Sequence, residues 1–91
     1  MSAIKEILVQ HHITLMDDLQ YKERPIDDRF TAVEISSQEG IRFNLFYYVV
    51  DSATKDVFYG TFKYPDGVVI ARILNGSEES ISGKRLTPEA I

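Results

Sequence analysis

The side chains best suited to chemistry in this chain are His11 and His12, followed by Asp17 and Asp18. Imidazole and carboxylate are the groups that hold a divalent metal or exchange protons near neutrality. Their spacing argues against both uses. On one continuous helix His11 and Asp18 share a face but stand about 10 Å apart along the axis, too far to ligate one ion. Pairing His12 with Met16 offers no hard ligand, and pairing His11 with Leu15 offers none at all. His11 falls between Leu8 and Leu15 on an apolar stripe and reads as a histidine at the core boundary. No metal, no cofactor and no catalytic residue is therefore expected.

Two further patterns occur. Glycine recurs before a lysine between Gly76 and Lys84, as in a phosphate-binding loop. The glycines are too far apart, Lys84 is followed by Arg85 rather than Ser or Thr, and Glu78 and Glu79 would repel phosphate. The carboxylates Asp17, Asp18, Glu23, Asp27 and Asp28 cluster in sequence; the plain reading is a solvated face, and the sharper one is a patch that engages a basic partner protein.

Composition narrows the classes. Ninety-one residues make one domain, and a hydrophobic fraction of 44% with 26% charged residues is ordinary for a soluble globule. No apolar run approaches the ~20 residues needed to span a bilayer, so no membrane is expected. Met1-Ser2-Ala3-Ile4-Lys5-Glu6 lacks a basic region followed by an apolar stretch, and there is no cysteine, so a cytoplasmic home is the expectation. A net charge of −4 disfavours a phosphate backbone, so no nucleic acid is expected either.

The elements that would position these groups follow from periodicity. Ile4, Leu8, Leu15 and Leu19 recur at helical spacing, predicting an amphipathic helix over residues 2–21. The β-branched pair Ile13-Thr14 allows a break near residue 13 instead. Alternation then predicts strands over residues 29–37, 41–50, 57–64 and 68–74, joined by a glycine loop, a polar loop and a Pro-Asp-Gly turn. The fold class is α+β: an N-terminal helix packed on one face of a four-stranded antiparallel meander. Residues 1–75 form the domain, and residues 76–91 read as a polar, flexible tail. The outline is similar to that of cystatin-like and other helix-gripping curved sheets, but none of their binding motifs is present, so the similarity implies no function.

Pairing Val50 with Val57, and allowing three residues for each flanking loop, sets the faces. Val33, Ile35, Phe43, Leu45, Tyr47, Val49, Phe58 and Phe62 lie under the helix. Phe30, Ala32, Phe46, Tyr48, Val50, Val57, Tyr59, Ala71 and Ile73 share the opposite face, with no second long helix to cover them. An apolar patch of that size signals an interaction site. The sequence thus predicts a small non-catalytic protein-interaction domain, of regulatory, inhibitor or immunity type, masking a basic site on a target or pairing as a homodimer through this second face. The candidate residues are Phe30, Phe46, Tyr48, Tyr59, Ile73, Asp17, Asp18, Asp27 and Asp28. The alternatives are ordinary core closed by a curled sheet or the tail, and a small-ligand binder or very small enzyme using the aromatic face.

Overall fold

A computed structural model describes residues 3–15, 19–60 and 62–86. Its elements are α1 (Ala3–Gln10), β1 (Gln20–Pro25), β2 (Phe30–Glu39), β3 (Arg42–Asp51), β4 (Asp56–Tyr59) and α2 (Gly67–Leu74). The strands form one four-stranded antiparallel meander in the order β1-β2-β3-β4, and the fold is α+β as expected.

The N-terminal helix is shorter than the periodicity predicts. Ile4, Ile7 and Leu8 turn toward the sheet, and the chain then leaves the helix at the histidine pair. His12 adopts the left-handed conformation at φ 65°. Its N–H donates to the Val9 carbonyl at 2.9 Å, and the Ile13 N–H donates to the Leu8 carbonyl at 3.1 Å. This is the Schellman closure of a helix end, in which the residue after the closing turn packs back on the core. Ile13, Leu15 and Leu19 still reach the first core, carried by loop rather than by a longer helix.

Residues 20–25, expected as helix end and connector, form β1 instead, with Tyr21 paired to Ile35 and turned to that same core. The turn between β2 and β3 has two residues, Gly40 and Ile41, with Glu39 paired to Arg42. Gly40 sits at φ 59°, the conformation a tight hairpin asks of its first central residue. With Gly40 opening the loop rather than closing it, Ser37 pairs with Asn44 instead of Ile41; β2 moves by three positions against β3, an odd number, which exchanges its faces. Val33 and Ile35 therefore share a side with Tyr48 and Val50, while Phe30 and Ala32 lie beside Asp51 and Val49.

Residues 68–74, expected as the fourth strand, are helical. Asp66 caps the helix by accepting the Val68 N–H at 3.0 Å, and Val69, Ile70 and Ile73 make the buried stripe. At the other end Gly76, at φ 82°, repeats the closure seen in α1: its N–H donates to the Ile73 carbonyl and that of Ser77 to the Arg72 carbonyl.

Two helices thus cover two faces. Under α1 lie Ile7, Leu8, Val33, Ile35, Val50 and Val57; under α2 lie Phe30, Val49, Phe58, Val69, Ile70 and Ile73. The faces are not divided as expected: Val50 and Val57 of the supposedly bare face are closed by α1, Phe30 and Ile73 belong to the core under α2, and Val49 and Phe58, expected beneath the N-terminal helix, lie under α2 instead. Residues 76–86, read from composition as the start of a tail, return along β4: the Ile81 N–H donates to the Val57 carbonyl at 2.8 Å, and Leu86 packs on the second core.

The hairpin of β2 and β3 outruns this cover. The molecule measures 52 × 23 × 23 Å. Along β3 burial falls away from Val49 and Val50 toward Arg42, so the last turns of the hairpin stand beyond both helices.

Candidate functional site

The chemistry-bearing residues are largely occupied with holding the fold. His11 Nε2 donates to the Lys55 carbonyl at 2.7 Å, tying the end of α1 to the β3–β4 loop. His12 closes the helix. Asp27 accepts the Arg29 and Phe30 N–H groups at 2.8 and 2.7 Å and shapes the β1–β2 connection, next to exposed Asp28. Asp17 and Asp18 lie outside the described residues. No group of three or more His, Cys, Asp or Glu side chains able to hold a metal occurs among the described residues. The glycines of the supposed phosphate loop serve turns: Gly76 ends α2, and the Gly83 N–H donates to the Ser80 carbonyl.

A buried carboxylate that spacing does not reveal is Asp51, which is 0% exposed. Arg29 donates to both its oxygens at 2.8 and 2.7 Å. The Ala53 N–H, the Thr54 N–H and the Thr54 hydroxyl complete its shell. Burial alone would push its pKa up; the Arg29 guanidinium and the Thr54 and Ala53 donors outweigh that and hold it below the ordinary carboxylate value. With its lone pairs taken, Asp51 is a clasp on the β3–β4 loop rather than a free acid or base.

The aromatic candidates divide. Phe30 and Ile73 are 1% and 0% exposed and belong to the second core, so neither can touch a partner in this fold. Phe46, Tyr48 and Tyr59 do come together, on the α1 side of the sheet. The Tyr48 and Tyr59 rings are 5.3 Å apart and those of Phe46 and Tyr59 6.3 Å, with Tyr59 55% exposed. Burial, and then the neighbouring Tyr59 hydroxyl, raises the Tyr48 pKa.

Beside this cluster the sheet is incomplete. The β3–β4 ladder ends at Tyr48 with Tyr59, followed by the Gly60 N–H donating to the Tyr47 carbonyl at 2.8 Å. Gly60 takes φ 66° and turns the chain out of the sheet. Along an antiparallel strand, every second residue directs its main-chain groups to the same side. Phe43 and Leu45 therefore direct their N–H and C=O groups to the side that β4 has left. Among the described residues no strand pairs with β3 there. The side chains on this stretch are apolar and open to water: Ile41 fully, Phe43 62%, and Leu45 and Phe46 38% each.

The other two edges are guarded. β1 carries Lys22, Glu23, Arg24 and Pro25, the charge and proline that keep an edge from pairing. β4 is four residues long and takes Ile81 at its outer side.

A cavity of about 340 Å³ lies on the α2 side, between the sheet and residues 62–65. Ala32, Glu34 and Tyr47 make its floor, Lys22 and Arg24 one wall, and Phe62, Lys63 and Tyr64 the other. The Arg24 guanidinium stacks 5.2 Å from the Tyr64 ring centre.

Sequence reasoning placed Phe46, Tyr48 and Tyr59 together correctly, since the β3–β4 register is as expected. It missed the open edge, whose signal is Gly60: a glycine at the fourth position of the predicted strand 57–64 marks where the shorter strand stops. No helix among the described residues is long and apolar enough to cross a membrane. The chain matches no family model, no curated protein and no solved structure.

Proposed function

We propose that this protein is a small non-catalytic interaction domain that works by offering the outer half of its β2–β3 hairpin to another polypeptide strand. One observation carries the reading: residues 42–46 of β3 combine a main-chain edge on which no strand pairs among the described residues with exposed Phe43, Leu45 and Phe46. Strand addition uses both features, main-chain hydrogen bonds for affinity and alternate side chains for specificity. Natural edges of this length are normally charged, kinked or covered, as β1 and β4 are here. A regulatory or inhibitory role, in which the hairpin occupies a surface on a target, is the form this function takes.

The test compares capture by immobilised wild type, Leu45→Lys and Ser52→Lys. Both variants add one positive charge, the first at the open edge and the second in the exposed β3–β4 loop. A polypeptide, whether a further copy of the chain or a separate protein, should be retained by wild type and Ser52→Lys and lost from Leu45→Lys. Equal retention by all three refutes the reading.

The cavity supports a second reading. Lys22, Arg24 and Lys63 outnumber the acidic lining residues Glu23 and Glu34 around aromatic walls, which suits a small anion on a flat apolar body. Benzoate should bind wild type and lose its binding in Arg24→Gln. No heat of binding up to about 10 mM removes this reading.

A further inference from the structure

Resting on the strand-addition reading, we propose that the strand received by the open edge is the same edge of a second copy, antiparallel to it, with the two-fold axis passing at Asn44. The stretch is self-complementary in that register alone. Phe43 and Leu45 are the residues whose main-chain groups face outward, and only an axis at Asn44 places Phe43 of each copy opposite Leu45 of the other. The two pairs then exchange about four ladder hydrogen bonds. An axis at Leu45 would require Tyr47, whose carbonyl already accepts the Gly60 N–H.

Side chains fit the same axis. On the α2 side Phe43 meets Leu45 of the second copy twice, an aromatic and aliphatic pair repeated by symmetry. On the α1 side Arg42 meets Phe46 of the second copy, a cation over a ring, and Asn44 meets its own equivalent. Arg42 is the one charged residue on the open stretch, and it never faces its own copy. Like charges are thus kept apart at the junction, even though each chain carries −4 overall. In this register the turn residues Ile41 and Gly40 come level with Tyr47 and Tyr48 of the other copy, so the tip meets the end of its β4 at Tyr59 and Gly60, where the chain turns out of the sheet.

The area is adequate. Taking roughly 200 Å² for a large apolar side chain, the exposed portions of Ile41, Phe43, Leu45 and Phe46 sum to on the order of 500 Å² in each copy. The pair then buries about 1,000 Å², the lower bound for a specific interface, so the dimer is a reversible one.

The chain has no cysteine, so a single introduced thiol reports the axis directly. Asn44 meets its equivalent in a non-hydrogen-bonded pair, with Cα atoms ~4.5 Å apart, within disulfide reach. Two copies of residue 42 stand ~13 Å apart, outside it. Under mild oxidation Asn44→Cys should give a covalent dimer and Arg42→Cys should not. Sedimentation of wild type should show a concentration-dependent dimer that Leu45→Lys weakens at least roughly tenfold. Wild type that sediments as a monomer throughout, or Asn44→Cys that links no better than Arg42→Cys, overturns the proposal. If Leu45→Lys still loses a separate protein in the capture experiment, strand addition stands and only the identity of the second strand is wrong.

Discussion

At its base the hairpin of β2 and β3 carries Phe30, Val33, Val49 and Val50, none more than 2% exposed. Toward its tip the same two strands carry Ile41, Phe43, Leu45 and Phe46, none less than 38% exposed. The residue types are alike and the backbone is one continuous ladder. What differs is the surroundings: two helices and a fourth strand at the base, water at the tip. Apolar sequence is therefore not a report of burial within the monomer. At the base it states what folding buries, and at the tip it leaves apolar surface in water, the surface on which the proposed strand addition rests.

Mutation should separate the two ends cleanly. Phe58→Ala, beneath α2, should cost about 3–5 kcal/mol in urea unfolding. Phe43→Ala, at the tip, should change monomer stability by less than ~0.5 kcal/mol, as for an ordinary surface site. A tip substitution as costly as a core one breaks the contrast.

Asp51 sharpens it, because the clasp belongs wholly to the base. Asp51→Ala breaks the pair with Arg29 and should cost on the order of 3 kcal/mol, the low end for a buried pair, since Arg29 keeps about a third of its side chain in water. The folded pKa of Asp51 is depressed, so its contribution is fully present above the unfolded carboxylate value of about 4 and is lost as pH falls through the folded one. Stability of wild type should decline with acid more steeply than that of Asp51→Asn. Parallel profiles contradict the assignment.

The helix ends give smaller effects of opposite sign. At Gly76 a Cβ would lie 2.7 Å from the Leu86 carbonyl oxygen, in a left-handed conformation. Gly76→Ala should cost about 2 kcal/mol. His12 occupies the equivalent position of α1 with a side chain, which the left-handed conformation disfavours. His12→Gly should raise stability by about 0.5–1 kcal/mol, measured by thermal unfolding.

How far the fold can be read in advance depends on the element. Residues 42–59 are legible because ten alternating positions and a polar loop leave one register for β3 against β4. The register of β2 turns on whether Gly40 is the first or the last residue of its loop, and the difference, three positions, is odd and so exchanges the faces. Residues 68–74 are too short and too uniformly apolar for periodicity to decide, and the deciding marks, Asp66 before and Gly76 after, also suit a turn. β1 is the least legible: Gln20–Pro25 has no β-branched residue, and it is a strand because Leu19 and Tyr21 fill the space beyond α1. The site divides along the same line. The Phe46, Tyr48 and Tyr59 cluster follows from the one secure register, whereas the open edge depends on where β4 stops, a matter of tertiary structure.

Amide hydrogen exchange at Phe43 and Leu45, followed by NMR as protein concentration is raised, tests the open edge most directly. Both N–H groups face the open side of β3 in the monomer and would face a ladder partner in the proposed dimer, while those of Arg42 and Phe46 face β2 in either state. Exchange at Phe43 and Leu45 should slow progressively with concentration, and Leu45→Lys should abolish the slowing at Phe43. Fast exchange at both positions at every concentration, or slowing shared equally by the whole hairpin, would contradict the account.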